Sequence, residues 1–490
     1  MNNSIQQFME FGVRKLEKVI ESFMDDEQMN IGEFVIELGK PLQELQREII
    51  AETIETIDET YRNSIYRTDK YVIDRSNVPN SFTSTCGEIK YHRTYFESKE
   101  TGEYIFLADK ACGITKNMRK SEDVVTQAIK HVVDSSYRLS GEYATNTEDI
   151  ISKQAIMKEV HRLEIPALIP FVKKKKQVKV LYINADEDHV SLQFYKVKGD
   201  LKIGANGYKS NTIEPRLACL FEGIEKESEN SKRNRLFGKH YFCGVYKSSE
   251  AIWEEVLEYI DAVYDEEHLE HIYIMGDGAS WIKSGIDVLG AKCHFVLDRF
   301  HLNQAIMRAV GHLWDSVSDA RTAIYDGIRS EDKAAVSKVF EVAKEWAESD
   351  NKREQIRRTK VYIDNHWEAI IMPNNDEYAR MGCSAEGQVS HLLSSRLSSR
   401  PLGWSETGVA KMSKLRAYVA NGGQVCDLLK YKKEKEQRVI QEEIRKEIDK
   451  QIKKKQKIYT DVWNHETIAA SIGEITGMYC LTKKLRGICG

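Results

Sequence analysis

Residues 177–188 read QVKVLYINADED, residues 271–278 read HIYIMGDG and residues 292–298 read KCHFVLD. Each is a short apolar run rich in Val, Ile, Tyr or Phe, and such runs bounded by Gly and acids predict buried strands. The first two stop on acids, at Asp186 and Asp277. HVSLQFYKVKG (189–199) follows the first run as its expected hairpin partner, and KHYFCGVYKS (239–248) is a third strand. Helical patterns at 249–264 and 280–290 separate the later runs. Strands alternating with helices in this way predict a mixed α/β sheet.

Three strands, helix, strand, helix, strand is also the element order of a ribonuclease-H-like core, expected here over 171–300. Working outward, residues 1–65 carry apolar positions at spacings of three and four and predict a helical N-terminal region. Residues 66–119 form a small strand-rich insert, with EIKYHRTYFES, a Thr-Gly turn and EYIFLADK read as a hairpin. Residues 120–170 are helical again. There Ser152 is placed to cap a helix carrying Lys153, Gln154, Lys158 and Arg162 on its polar side. That arrangement fits the second helix of a helix-turn-helix, whose N-terminal end enters the DNA major groove; an ordinary capped surface helix fits it as well. Residues 301–380 predict a helical insertion, and 381–425 a last catalytic helix that completes the core. Residues 426–490 form a charged helical C-terminal region with a solvated helix over 430–458.

The 490 residues exceed one ordinary core, and no stretch approaches the roughly 20 apolar residues of a membrane span. The N-terminus shows no secretory pattern, so a cytoplasmic protein is expected. Nine cysteines are scattered without a CxxC pair, which argues against a zinc ribbon. The 72 basic and 76 acidic residues give a net charge of −4, awkward for an enzyme that grips phosphates. The charge is uneven, however: residues 173–176, 411–416 and 453–455 are basic.

If the two acid-ended strands are neighbours, Asp186 and Asp277 come within reach of one site, with Gly276 and Gly278 allowing a tight turn. Glu386, opening a helix in MGCSAEGQVSHLL, offers a third acid. Two-metal phosphoryl transfer asks for such carboxylates around hard cations about 3.5–4 Å apart. Acids at strand ends are also common caps, and this chain has many. Asp298 and His301, three apart at a helix start, share a face beside the site, either as participants or as a cap and its satisfied partner. Arg396 and Arg400, four apart if their helix continues, are placed to hold phosphates or merely to face solvent.

The strings VLYINADEDHVSLQ, YIMGDGASWIKSG, HFVLDRFHLNQAI and GCSAEGQVSHLLSSRLSSRPLGWS together resemble the bacterial ISLre-type insertion-sequence transposases, a DDE group similar to the Mutator-like class. The resemblance covers nearly the whole chain. It implies Asp186, Asp277 and Glu386 as the catalytic and metal-holding acids, separated by 91 and 109 positions. It further implies two magnesium ions, with manganese able to substitute. Double-stranded DNA follows as partner, both the element's terminal inverted repeats and the target, with a homo-oligomer assembled on it near the bacterial nucleoid. Glu187 and Asp188 follow Asp186 where such families place a small residue, so Asp188 stays open as the alternative first ligand. The rival readings are a metal nuclease of the same fold that never joins strands, and a catalytically inactive DNA-binding regulator.

Overall fold

The computed structural model describes residues 3–25, 30–194, 200, 203, 211–231, 233–400, 403–432, 434 and 435. All that follows concerns the first of two compact units, Met1–Leu429. Beyond Lys435, the charged helix expected over 430–458 and the basic run 453–455 lie outside the described residues.

The N-terminal region is helical as its period predicts, with α1 (Val13–Asp25) and the 33-residue α2 (Ile31–Asn63). Asn30 starts α2 with a reciprocal capping box: its side chain accepts from Glu33 N while the Glu33 carboxylate accepts from Asn30 N. A three-stranded antiparallel sheet lies on α2, formed by β1 (Tyr71–Ser84), β2 (Gly87–Ser98) and β3 (Tyr104–Ile105). Ile54 of α2 packs with Phe82, Ile89 and Tyr91. The buried Asp58 carboxylate accepts from Thr94 N at 2.9 Å, so helix and sheet are joined by a charge-assisted bond. The expected hairpin forms, though it is short: β2 pairs antiparallel with β3 across the 99–103 turn. The main partner of β2 is β1, and EYIFLADK contributes only the two-residue β3 before turning into a short helix, Leu107–Ala111.

The helices that lead into the central sheet include α3 (Glu122–Val132) and α4 (Lys153–Arg162). The sheet holds β4 (Val180–Glu187), β5 (Arg216–Phe221), β6 (His240–Gly244), β7 (His271–Gly276) and β8 (Cys293–Leu297), in the order β6-β5-β4-β7-β8. β4, β7 and β8 run parallel, and β5 and β6 complete the sheet antiparallel. The mixed α/β expectation holds, but the partner of β4 is β5, not residues 189–199. Of its described residues, Val190–Ser191 pair with Thr212–Ile213 and Leu192 bridges to Trp404, while residues 195–199 lie outside the described residues.

The strands are apolar on both sides because both faces are covered. Leu181, Ile183, Ala185, Ile272 and Ile274 pack on α5 (Ala251–Val263) and α6 (Ser280–Leu289). The same cluster runs into the expected helical insertion, built from α7 (Arg299–Val310), α8 (Val317–Arg329), α9 (Lys333–Glu345), α10 (Asp350–Asn365) and α11 (Trp367–Asn375). On the other face, Leu217, Cys219, Tyr241 and Cys243 meet α3, α4, α12 (Ala385–Val389) and α13 (Glu406–Ala420). The 120–170 region is therefore a wall of the core rather than an appended module. No helix among the described residues is long and apolar enough to cross a membrane.

Two arginines staple that wall. Arg416 donates to the carbonyls of Val133, Leu392 and His391 and to the Asp134 carboxylate. Arg396, expected to grip phosphates, is corrected: its guanidinium is buried, donates to Val132 O at 3.2 Å and lies 4.8 Å from the Trp404 ring centre. The helix that carries it, Ser395–Leu397, stops before the exposed Arg400, so the two do not share a helical face. Replacing Arg416 with Met orphans several buried carbonyls and should cost about 3 kcal/mol or more in urea unfolding. Arg400→Met should stay within about 0.5 kcal/mol of the parent, as for an exposed site. Equal effects of the two would refute the structural role of Arg416.

Candidate functional site

Three parallel neighbours, β4, β7 and β8, run out on the same edge of the sheet, and each ends with an acid: Asp186, Asp277 and Asp298. Strand pairing alone thus delivers three carboxylates to one edge. Asp277 sits between Gly276 and Gly278. A Cβ on Gly276 would come 2.7 Å from Ala185 O of β4, and Gly278 holds φ +90°, so both flanks need glycine. The Asp277 carboxylate accepts from Ala279 N at 2.9 Å, which starts α6. Its carbonyl accepts the Tyr362 hydroxyl at 2.7 Å.

Asp298 is buried and does two things at once. It caps α7 by accepting from Phe300 N at 3.1 Å, and it holds His301 Nδ1 at 2.8 Å. That bond, opposed by burial and aided by the charges of Asp298, Asp186 and Asp277, raises the His301 imidazole above its ordinary value. The cap with its satisfied partner is met, and the pair feels the charges of the other acids.

Asp186 is pushed up to about 6, first by burial. The Glu187 N–H and His301 pull it down, while Asp277 and Glu187 push it further up. The alternative first ligand stands elsewhere: Asp188 is buried with both carboxylate oxygens 2.9 Å from Ser398 Oγ. Of the two, Asp186 is the one that joins the cluster.

Glu386 is exposed at the start of the short α12, and no hydrogen bond links it to Asp186 or Asp277 among those described. The chain leading to it does pass the site. Ser384 Oγ accepts from Asn184 Nδ2 at 2.9 Å, and the Cys383 thiol, raised by burial, also feels Asp298 and Asp186. Among the described residues, no three His, Cys, Asp or Glu side chains form a group arranged to hold a metal ion.

Lys153, Gln154 and Lys158 are exposed on α4, which Ser152 caps through Ala155 N as expected. Sequence reasoning missed Glu187, which alternation places on the opposite sheet face. Its carboxylate takes a hydrogen bond from Trp281 Nε1, and burial followed by the Asp277 charge raises it. Tyr362 and His366 were missed as well; their four-residue spacing on one helix was the available signal.

The Uncharacterised protein family (UPF0236) matches the chain over residues 24–435. A UPF0236 protein of Caldanaerobacter subterraneus subsp. tengcongensis, whose name joins eleven locus labels, is 34% identical over 96% of this chain and 95% of its own length. Another from the same organism, whose name joins four, is 35% identical over 96% and 95%. A Streptococcus gallolyticus relative, a UPF0236 protein in a vanSb 3′ region, is 23% identical over 79% of this chain and 85% of its own.

Between the ordinary 3.8 and about 6, folded Asp186 keeps a proton that the unfolded chain has lost. Stability therefore falls as pH rises through that window, by about 3 kcal/mol at most. The His301 contribution has the same sign, being present at low pH and lost as pH rises through its raised folded value. Urea unfolding without divalent ions from pH 4 to 7 should show this loss in the parent and a flatter dependence in Asp186→Asn. Identical slopes would place the Asp186 carboxyl in ordinary solvent.

Proposed function

The chain belongs to the UPF0236 family, and we propose that it works as a DNA transposase that cuts the ends of its own element and joins them to target DNA. One observation carries the reading: Asp186 and Asp277 end adjacent parallel strands and feel each other's charge, with His301 held by Asp298 beside them. The sheet order of third, second, first, fourth and fifth strand, with the second antiparallel, is consistent with the ribonuclease-H-like core this reading expects. The relatives add support. One protein at eleven loci of a single organism is what repeated copying of a mobile element leaves behind.

The donor set suits a hard divalent cation: carboxylate oxygens, half-buried, with like charges that a cation would offset. Asp186 and Asp277 would hold magnesium, or manganese in its place, with Glu386 as the third acid from a helix that leaves the cluster at Cys383. When bound, two such ions supply Lewis acidity for in-line displacement at phosphorus. The chain's own groups do the rest. Asp298 holds His301 through Nδ1 and, with the charges of Asp186 and Asp277, favours its protonated form beside those acids. Lys153, Gln154 and Lys158 of α4, and Arg400, offer exposed donors to DNA phosphates. Exposed Met24, Ile31, Val35 and Ile36 on the N-terminal helices offer apolar surface for a second copy on the DNA.

Purified protein with labelled DNA carrying the element ends and magnesium should yield cleaved and joined products. Asp277→Asn should lose them by about 10²-fold or more. Equal products from both proteins sink the role of Asp277. Cleavage without joining indicates the nuclease, and binding without cleavage by either protein indicates the regulator. Lys153→Glu and Lys158→Glu should each weaken binding on any sequence and lower the salt slope by about one; an unchanged slope removes α4 from the interface.

A further inference from the structure

Besides His301 of α7, the helical insertion reaches the candidate site through the C-terminal turn of α10. Tyr362 donates its hydroxyl to Asp277 O at 2.7 Å. One turn later His366, buried at 8% exposure, lies tilted against Tyr362 with ring centres 4.7 Å apart and accepts no substitute for Gly278, because a Cβ there would fall on His366 Nε2. His366 Nδ1 is 2.7 Å from Tyr362 O, which makes it the donor and leaves Nε2 as a buried acceptor without a partner, facing the Gly278 backbone. A hydroxyl set against a carbonyl oxygen can only donate, so the direction of this bond is fixed. The helix behind this contact is braced. Ile356 and Ile363 are buried in the sheet's own cluster, and Lys352 Nζ donates to Arg308 O of α7 at 2.7 Å.

We infer that Tyr362 and His366 are positioning residues that fix the Asp277 backbone, making the insertion part of the apparatus that aims the second acid. The inference rests on the proposed role of Asp277, but the contact itself needs no metal or DNA to be measured. β7 hands the chain to a Gly-Asp-Gly turn, whose two glycines give that backbone more conformational freedom than other residues would. A neutral hydrogen bond to its central carbonyl and a ring against its second glycine remove that freedom. Positioning of this kind matters because misplacing a reacting group by about 1 Å costs on the order of 10²-fold in rate.

The test uses the full chain as Tyr362→Phe, which keeps the ring and removes the donor, and separately as His366→Gln. Amide exchange of a peptide spanning 276–282 should quicken by about tenfold or more in both, while 293–297 keeps its parental rate. Manganese affinity, followed by electron paramagnetic resonance, should fall in parallel. End cleavage should lose about tenfold in kcat with the KM for DNA unchanged, the pattern of an interaction spent on the reacting state. Parental exchange over 276–282 in both variants would overturn the inference, whatever the activity. Faster exchange in a protein whose parent neither cleaves nor binds manganese would keep the positioning and remove the transposase reading.

Discussion

Everything at the candidate site depends on the parallel pairing of β4 with β7. With Ile183 opposite Ile274 and Asn184 opposite Met275, the two strands finish level, and the acids that follow them cannot avoid each other. Half-buried like charges disfavour ionisation of Asp186, and the protein answers that cost locally. A Glu187 amide donates to Asp186, a histidine whose protonated form Asp298 favours stands beside the pair, and Ala279 N donates to the Asp277 carboxylate. The arrangement is a small reservoir of unfavourable electrostatics, kept by a sheet whose apolar faces supply the stability.

How far this was legible in the residues follows from what each feature depends on. The apolar runs ending at Asp186 and Asp277 name the strands because burial on both faces leaves a continuous hydrophobic signature. The helical insertion is readable for the matching reason, period without strand signals. RLACLF at 216–221 escaped because it is a short strand whose partner is fixed only by the sheet, and nearby 189–199 carries a similar pattern. Asp186 and Asp188 share a face by alternation, so only the Ser398 hydroxyl, 210 positions away, separates them. Arg396 misled for a related reason: a guanidinium written in a polar stretch looks solvated until Val132 O and the Trp404 ring are folded around it. Tyr362 sits 85 residues beyond its acceptor, where no local rule operates.

Glu386 stands apart from the other acids. Its helix is tethered to β4 through Ser384 and Asn184, and the Asn184 carbonyl oxygen is buried without a partner. A side chain with a vacant acceptor, gripping the segment that carries an exposed acid, is a modest anchor. It holds the start of α12 against the sheet while leaving the carboxylate itself at the surface.

The Arg416 staple has a consequence for how the chain is made. Its bond to Val133 closes a separation of 283 positions, and α3 lies against a wall that includes α13. At the usual pace of about 5–20 residues per second, the ribosome releases α3 roughly 15–60 seconds before its last neighbours. For that interval Val124, Ile129 and Val132 face the cell without their final cover. A long-range closure of this kind leaves apolar surface of the nascent chain exposed until synthesis is nearly done.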